Sequence, residues 1–223
     1  MKNEVVFILG GGSGMGLATA AVLIQNGYQV VISGRTETTL VRVSKRLGPN
    51  CTYALVDASD AERLKRTLLG IGKIDHIIVT ISVRANAGGI HNTSEANAKK
   101  AFQRFWISYN VLHLSSEVLQ RNGSVTLISG SSAKTPLKGY GVWGSLHGSL
   151  NALVKQAAID LAPIRINAIS PGGIGMNPDR QLTEHNGTTE NVAQMIYAVV
   201  GNAAVTATVI DVDGGERMGT WNG

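Results

Sequence analysis

A doubly wound α/β domain on a seven-stranded parallel sheet is the fold class this sequence predicts, and three observations carry the prediction. Short apolar runs alternate with longer helical stretches from one end of the chain to the other. The first run ends in a glycine-rich turn, Gly10-Gly11-Gly12-Ser13-Gly14-Met15-Gly16, that leads straight into a helix. Glycine is abundant, 27 of 223 residues or about 12% against a usual ~7%, as tight strand-to-helix turns and closely packed layers require.

The elements follow in order. Val5 to Leu9 is a continuous apolar run, the pattern of a strand buried on both faces. Met15 to Asn26 is apolar and Ala-rich, and Gly27 closes it as a helix end. Gln29 to Ser33 is the second strand. Thr36 is placed to N-cap a helix through about Leu47, with Glu37 in its first turn and Lys45 and Arg46 in its last, matching the helix dipole. Thr52 to Val56 is the third strand, and Ser59-x-x-Glu62 is a capping box for a helix to about Leu69. Ile74 to Ile81 is the fourth strand, followed by a loop from Ser82 to Thr93 and a long helix from about Ser94 to Arg121. Ser124 to Ser129 is the fifth strand, Gly141 to Leu161 a helix, and Arg165 to Ser170 the sixth strand. Thr189 to Val200 is the last helix and Thr206 to Val212 the seventh strand. Strands joined by helices of this length form βαβ units with right-handed crossovers.

Composition narrows the function. With 43% hydrophobic and 16% charged residues the chain is neither disordered nor fibrous, and 223 residues suit one domain. A single cysteine excludes a disulfide framework and a multi-cysteine zinc site, so no metal is expected and a reducing, cytoplasmic location is. The formal net charge is +5, but lysines and arginines are scattered and never interleave with stacking aromatics. Nucleic acid is therefore not the expected partner, whereas a phosphate-bearing small ligand fits. The run Val5–Leu9 is too short for a signal peptide, and no stretch approaches 18 apolar residues, so no membrane partner is expected.

The first turn is the chemically informative segment. Gly10 permits a tight turn, while Gly14 and Gly16 let backbone approach a pyrophosphate and let the helix pack on the sheet. The helix N-terminus adds N–H donors and partial positive charge. Gly10, Gly12, Ser13, Gly14, Met15 and Gly16 are accordingly candidate dinucleotide contacts. The second strand ends Ile32-Ser33-Gly34-Arg35-Thr36. A carboxylate here would grip the ribose 2′-OH of NAD. Gly34 offers none, and the Arg35 guanidinium, with the Ser13 and Thr36 hydroxyls, suits a 2′-phosphate. A solvated loop arginine is the plainer alternative.

Taken together, the spacing Gly10-x-x-x-Gly14-x-Gly16, Asp57 after the third strand, the block Ile164-Arg165-Ile166-Asn167-Ala168-Ile169-Ser170-Pro171-Gly172 and the block Val209-Ile210-Asp211-Val212-Asp213-Gly214-Gly215 resemble the short-chain dehydrogenase/reductase family over nearly the whole chain. Leu9 departs from the family's usual Thr. The resemblance implies a Rossmann-type fold and a nicotinamide cofactor, here NADP(H). It implies that Asp57 accepts from the adenine amino group beside the Ala58 N–H. Thr80, Pro171, Gly172 and Ile174 join the cofactor site, with the Ile174 backbone toward the nicotinamide carboxamide. Met176 replaces a family Thr that bonds the cofactor phosphate.

The family's Ser-Tyr-Lys set is another matter. Counting back from Asp160-Leu161-Ala162-Pro163 puts Trp143 at the Tyr position, His147 at the Lys position and Gly130 at the Ser position. Val79-Thr80-Ile81-Ser82 replaces the family's Asn-Asn-Ala-Gly, and the helix Asn falls near Ser108 or Asn110. Ser129-Gly130, Phe105-Trp106 and the uninterrupted Ala162-Pro163-Ile164-Arg165 resemble a divergent branch that also lacks the Tyr. His147, Ser132 and Tyr140 are the candidate replacements: His147 as cofactor positioner or proton donor with an ordinary pKa near 6.5, Ser132 by strand geometry two residues past Gly130, and Tyr140 one turn before the helix. General acid–base help contributes about 10²–10⁴-fold, whereas aligning hydride donor and acceptor contributes up to roughly 7–11 kcal/mol. Iminium, quinone and enone substrates need the least proton help. Pro171 and Asp213 are 42 positions apart, a short lid by the family's standard.

The expected function is an NADP(H)-dependent oxidoreductase acting on a carbonyl, imine or other activated small molecule. The alternatives are a catalytically impaired NADP(H)-binding or redox-sensing protein, and a non-redox enzyme that keeps the nucleotide as a structural part. The resemblance and the apolar stripes Phe102–Leu119 and Trp143–Leu161 imply a homodimer or homotetramer.

Overall fold

The computed structural model describes residues 4–174, 181–183 and 185–218. The strands are β1 (Val5–Leu9), β2 (Gln29–Gly34), β3 (Cys51–Leu55), β4 (Ile74–Val79), β5 (Leu119–Ile128), β6 (Arg165–Pro171) and β7 (Thr208–Val212). They form one sheet in the order β3-β2-β1-β4-β5-β6-β7, with every neighbouring pair parallel. The chain winds outward from β1 in one direction and then returns to lay β4 on its other side. The β1/β4 border is therefore the point where connections diverge to opposite faces, and a crevice opens there beyond the strands' C-terminal ends.

Helices α1 (Gly14–Gln25), α2 (Glu37–Leu47) and α6 (Thr189–Gly201) cover one face; α3 (Ala61–Ile71), α4 (Glu95–Val118) and α5 (Gly141–Asp160) cover the other. Each face has its own core. On the first, Leu23, Leu40 and Ile196 meet Ile8 and Ile32; on the second, Leu64, Val111 and Leu150 meet Phe7 and Ile77. Alternate residues of β1 thus feed opposite layers, which is why the strand reads as unbroken apolar sequence.

Four local expectations are corrected. The capping box at Ser59 does not form: Asp60 is the N-cap of α3 and accepts from Arg63 N–H at 2.9 Å, while Ser59 donates to Asp57. Thr36 stands at the N-cap of α2, but its side chain makes no capping bond. The long helix stops at Val118 rather than running to Arg121, and β5 begins at once with Leu119 opposite Ile74. The register then slips before His76, and Gly123 allows it, since a Cβ there would lie 2.6 Å from the Asp75 carbonyl oxygen. β7 starts at Thr208, not Thr206, because Ala207 takes a left-handed φ of 57° and Thr206 uses its hydroxyl to accept from Ile166 N–H. Among the described residues no helix is long and apolar enough to cross a membrane.

Candidate active site

The glycine turn forms a cradle. Gly10 N–H and Gly11 N–H both donate to the Ser33 carbonyl, at 3.0 and 3.1 Å, tying the turn to the end of β2. Gly10 sits at φ 91°, and a Cβ on Gly16 would lie 2.3 Å from the Gly10 carbonyl oxygen, so α1 rests directly on the turn. Thr80 braces it from β4, its hydroxyl donating to Leu9 O at 2.9 Å. Ser13 is the N-cap of α1 in extended geometry with no side-chain capping bond. The first-turn N–H groups of a helix have no partner within it, and around Gly14 a Cβ would meet nothing within 4 Å. An open, donor-lined concavity at a helix N-terminus fits a pyrophosphate.

Beside the cradle, Arg35 and Thr36 are exposed, as is Ser13. Asp57 is half-buried at the end of β3. Its carboxyl is held below the ordinary carboxylate range by Ser59, whose backbone N–H and hydroxyl both donate to it, with Arg35 and Arg63 adding a smaller electrostatic pull. The adjoining Ala58 is buried. These residues converge on the C-terminal edge of β1, β2 and β3.

On the other side of the crevice, a cavity of about 170 Å³ is lined by Gly130, Ser132, Tyr140, His147, Pro171 and Gly172, together with Ser131, Leu137, Gly173, Gln181 and Glu216. All three candidate catalytic residues therefore meet in one place. Ser132 arrives by a different route from the expected one: strand geometry ends at Gly130 and Ser131–Ala133 is a 3-10 turn, which still swings the hydroxyl to His147 Nδ1 at 2.9 Å. Tyr140 is the N-cap residue of α5 and 37% exposed, already on the cavity wall.

His147 departs from an ordinary imidazole. Burial, and then the nearby Arg104, push its pKa down from 6.5 to about 4. It is neutral near pH 7, so the proton-donor role does not run through an imidazolium, and a titration limb near 6.5 is not its signature. Gly130 makes the arrangement possible: a Cβ there would lie 2.5 Å from His147 Cε1 and 2.6 Å from Nδ1. Trp143, one turn earlier, faces elsewhere. Its indole N–H donates to the Ala87 carbonyl at 3.0 Å and pins the loop before α4 rather than walling the cavity.

Two residues here escaped the sequence reading. Arg104, from α4, reaches His147 Nε2 at 3.3 Å and donates to the Ile128 carbonyl and, at 3.5 Å, to that of Ser129. Neither Ser108 nor Asn110 lines the cavity; the Ser108 hydroxyl bonds back to Arg104 O within the helix. Glu216, buried just past Gly214-Gly215, accepts from Gly173 N–H at 2.8 Å and holds the turn after β6. Ile174 N–H is used internally, donating to Gly172 O at 2.9 Å. Met176 lies outside the described residues.

A glycine-turn cradle at the β1/β4 crevice, shaped for a dinucleotide, beside a small cavity lined by Ser132, Tyr140 and His147 defines the class of a nucleotide-dependent α/β protein. The family model described as "Enoyl-(Acyl carrier protein) reductase" matches residues 10–216. The chain is 29% identical over 251 residues to the short-chain dehydrogenase/reductase ATR9 of Stachybotrys chlorohalonatus, covering 96% of this chain and 97% of that one. In structure it resembles a short-chain type dehydrogenase/reductase from Mycobacterium ulcerans, with TM-score 0.89 at 22% identity over 98% and 91% of the two chains. It also resembles ElxO with NADP bound, with TM-score 0.85 at 22% identity over 97% and 100%. This chain belongs to the short-chain dehydrogenase/reductase family.

Proposed function

We propose that the protein is an NADP(H)-dependent reductase of a carbonyl, imine or other activated small molecule, with Gly130, Trp143 and His147 standing where the family carries Ser, Tyr and Lys. The observation that carries this reading is the cavity itself. It places a neutral imidazole, a serine hydroxyl and a tyrosine hydroxyl around one small space, next to the Pro171–Gly173 turn where the family's nicotinamide lies. The bound dinucleotide supplies the hydride. The rest falls to this chain. The glycine turn holds the pyrophosphate, the Pro171–Gly173 turn and Glu216 shape the floor of the cavity, and His147 with Ser132 meets the substrate side. The relatives' names as dehydrogenases and reductases support an enzyme over a cofactor-binding sensor.

NADPH is favoured over NADH because Gly34 leaves no carboxylate at the end of β2 and Arg35 stands exposed beside it. A charge-assisted contact contributes roughly 1.5–3 kcal/mol, less where solvent screens it. Arg35→Ala is expected to weaken NADPH binding by about 10–50-fold and leave NADH within about twofold. Cofactor titration checks this, alongside NADPH oxidation over a panel of carbonyls, imines and quinones. Equal losses for both cofactors would remove the 2′-phosphate role. Tight NADPH binding with no turnover across the panel would leave the sensor reading.

A homo-oligomer is part of the same proposal. Trp106 and Tyr109 project from α4 at 58% and 44% exposure, and Phe105, Trp106, Tyr109 and His113 contact one another in sequence along the helix. Solvent-facing aromatics in such a row mark an interface. Light scattering at micromolar concentration is expected to give at least twice the 23.5 kDa chain mass; a monomer would refute it.

A further inference from the structure

The hydrogen-bond chemistry of Arg104 settles where the proton on His147 sits. A guanidinium has only donors. With Arg104 Nη1 3.3 Å from His147 Nε2, that nitrogen must offer its lone pair, and the neutral ring carries its proton on Nδ1. Nδ1 is 2.9 Å from Ser132 Oγ, so Nδ1–H donates and the serine oxygen accepts. The Ser132 hydroxyl proton is then not spent on His147, and no other bond of that hydroxyl occurs among the described residues. Ser132 is buried and lines the cavity.

We propose that Arg104 is a positioning residue: it fixes the His147 tautomer and thereby presents the Ser132 hydroxyl to the cavity as the hydrogen-bond donor for the substrate's reacting oxygen or nitrogen. The proposal rests on the reductase reading above for its substrate, but not for the tautomer. Ser132 Oγ–H stabilises charge as it develops on that atom, in the manner of an oxyanion hole, and is not itself deprotonated. The proton that completes the product comes from water. The arrangement also accounts for a buried cation on α4: the Ile128 and Ser129 carbonyls and the imidazole lone pair give Arg104 three acceptors and, among the described residues, no carboxylate. An acid at any of those places would pull the proton balance of His147 the other way.

The test is nitrogen NMR of the whole protein labelled with ¹⁵N-histidine at pH 7, without cofactor, with His147→Gln used to assign the His147 signals. The expected result is a neutral ring, Nδ1 protonated and Nε2 bare. A proton on Nε2, or on both nitrogens, overturns the proposal. In Arg104→Met the ring is expected to move substantially to the Nε2–H form and turnover to fall about 10–100-fold, with the melting transition retained. Arg104→Lys, which keeps a donor, restores the Nδ1–H form and part of the rate. Unchanged tautomer and unchanged rate in Arg104→Met would refute the positioning role. Should Arg104→Met not fold, the wild-type tautomer and Arg104→Lys decide. Ser132→Ala is expected to lose about 10²–10³ in turnover with NADPH affinity unchanged; wild-type turnover there would overturn the donor assignment. The expected tautomer without turnover on any substrate leaves the relay standing and removes the reductase reading instead.

Discussion

Gly130→Ala is expected to lower turnover by about 10²–10³-fold while leaving NADPH affinity near wild type. The backbone at Gly130 is extended, φ −177° and ψ 154°, a conformation any residue adopts, so the effect comes from contact alone. The added methyl would stand 2.5 Å from His147 Cε1, 2.6 Å from Nδ1 and 3.2 Å from Cγ. One of the two must move, and the imidazole is held on its far side by Arg104. Displacing Nδ1 breaks its bond to Ser132 and turns the serine hydroxyl out of its position. The cofactor cradle is built by other elements and is not disturbed. Steady-state kinetics with saturating NADPH, beside a cofactor titration, checks the split. A double-mutant cycle with His147→Ala tests the cause: removing the ring relieves the clash, so Gly130→Ala should cost almost nothing further in that background. Wild-type turnover in Gly130→Ala alone would show that the ring position does not matter.

The same contact links Gly130 and His147, the two positions proposed above to stand where the family carries Ser and Lys. A serine at 130 and a histidine at 147 in this rotamer would collide, so the loss of one side chain makes room for the other. Linear sequence does not display that coupling. Counting along the chain placed each residue, but the packing of the β5 end against α5 is a three-dimensional fact. Arg104 was hidden for a related reason. It lies in a helix whose apolar and polar residues are mixed all round, and it sits amid Phe102, Phe105 and Trp106. Nothing in that pattern marks a cation that turns inward to the carbonyls ending β5. Glu216 was hidden because it follows the last strand block by one residue, where a polar residue reads as solvated tail.

What was legible followed from periodicity and from punctuation. Among the described residues, the order and type of the seven strands and six helices follow the alternating apolar runs and glycine turns, although the bounds of α4, β5 and β7 differ, because a parallel sheet covered on both faces favours apolar strands. The misplacements occur where side chains compete locally for backbone donors. Asp60 won the cap of α3 from Ser59, and Gly123 allowed a register slip that let β5 start five residues early. The geometry of the glycine turn was readable for the same reason as the fold: the close approach of α1 to Gly10 is backbone packing, and glycines announce it. The cavity depends on which side chains meet across β5, α4 and α5, and only the assembled fold shows that.

Gly16→Ala is expected to destabilise the protein and to abolish measurable dinucleotide binding, a larger combined effect than any single side-chain deletion in the cavity. A Cβ on Gly16 would lie 2.3 Å from the Gly10 carbonyl oxygen, 2.5 Å from Thr80 Oγ1 and 2.9 Å from the Gly10 carbonyl carbon. Two of these are backbone atoms of the turn itself, and Thr80 Oγ1 is committed to Leu9 O. No flexible chain end can yield. α1 must instead lift from the ends of β1 and β4, and its N-terminal donors move off the site they share with Gly10–Gly14. Overpacking of this kind costs about 1–3 kcal/mol, which for a chain of this size lowers the melting temperature by roughly 3–10 °C. Cofactor affinity is expected to fall at least ~100-fold, since the pyrophosphate site depends on that helix end. Gly70→Ala separates this from a general intolerance of glycine replacement. Gly70 lies inside α3, a Cβ there meets nothing within 4 Å, and alanine in a helix interior gains about 0.5–1 kcal/mol over glycine. Thermal melts and an NADPH titration of the two variants side by side should move in opposite directions in stability, with binding lost only in Gly16→Ala. Retained binding in Gly16→Ala would mean that the helix does not rest on the turn as closely as these distances require.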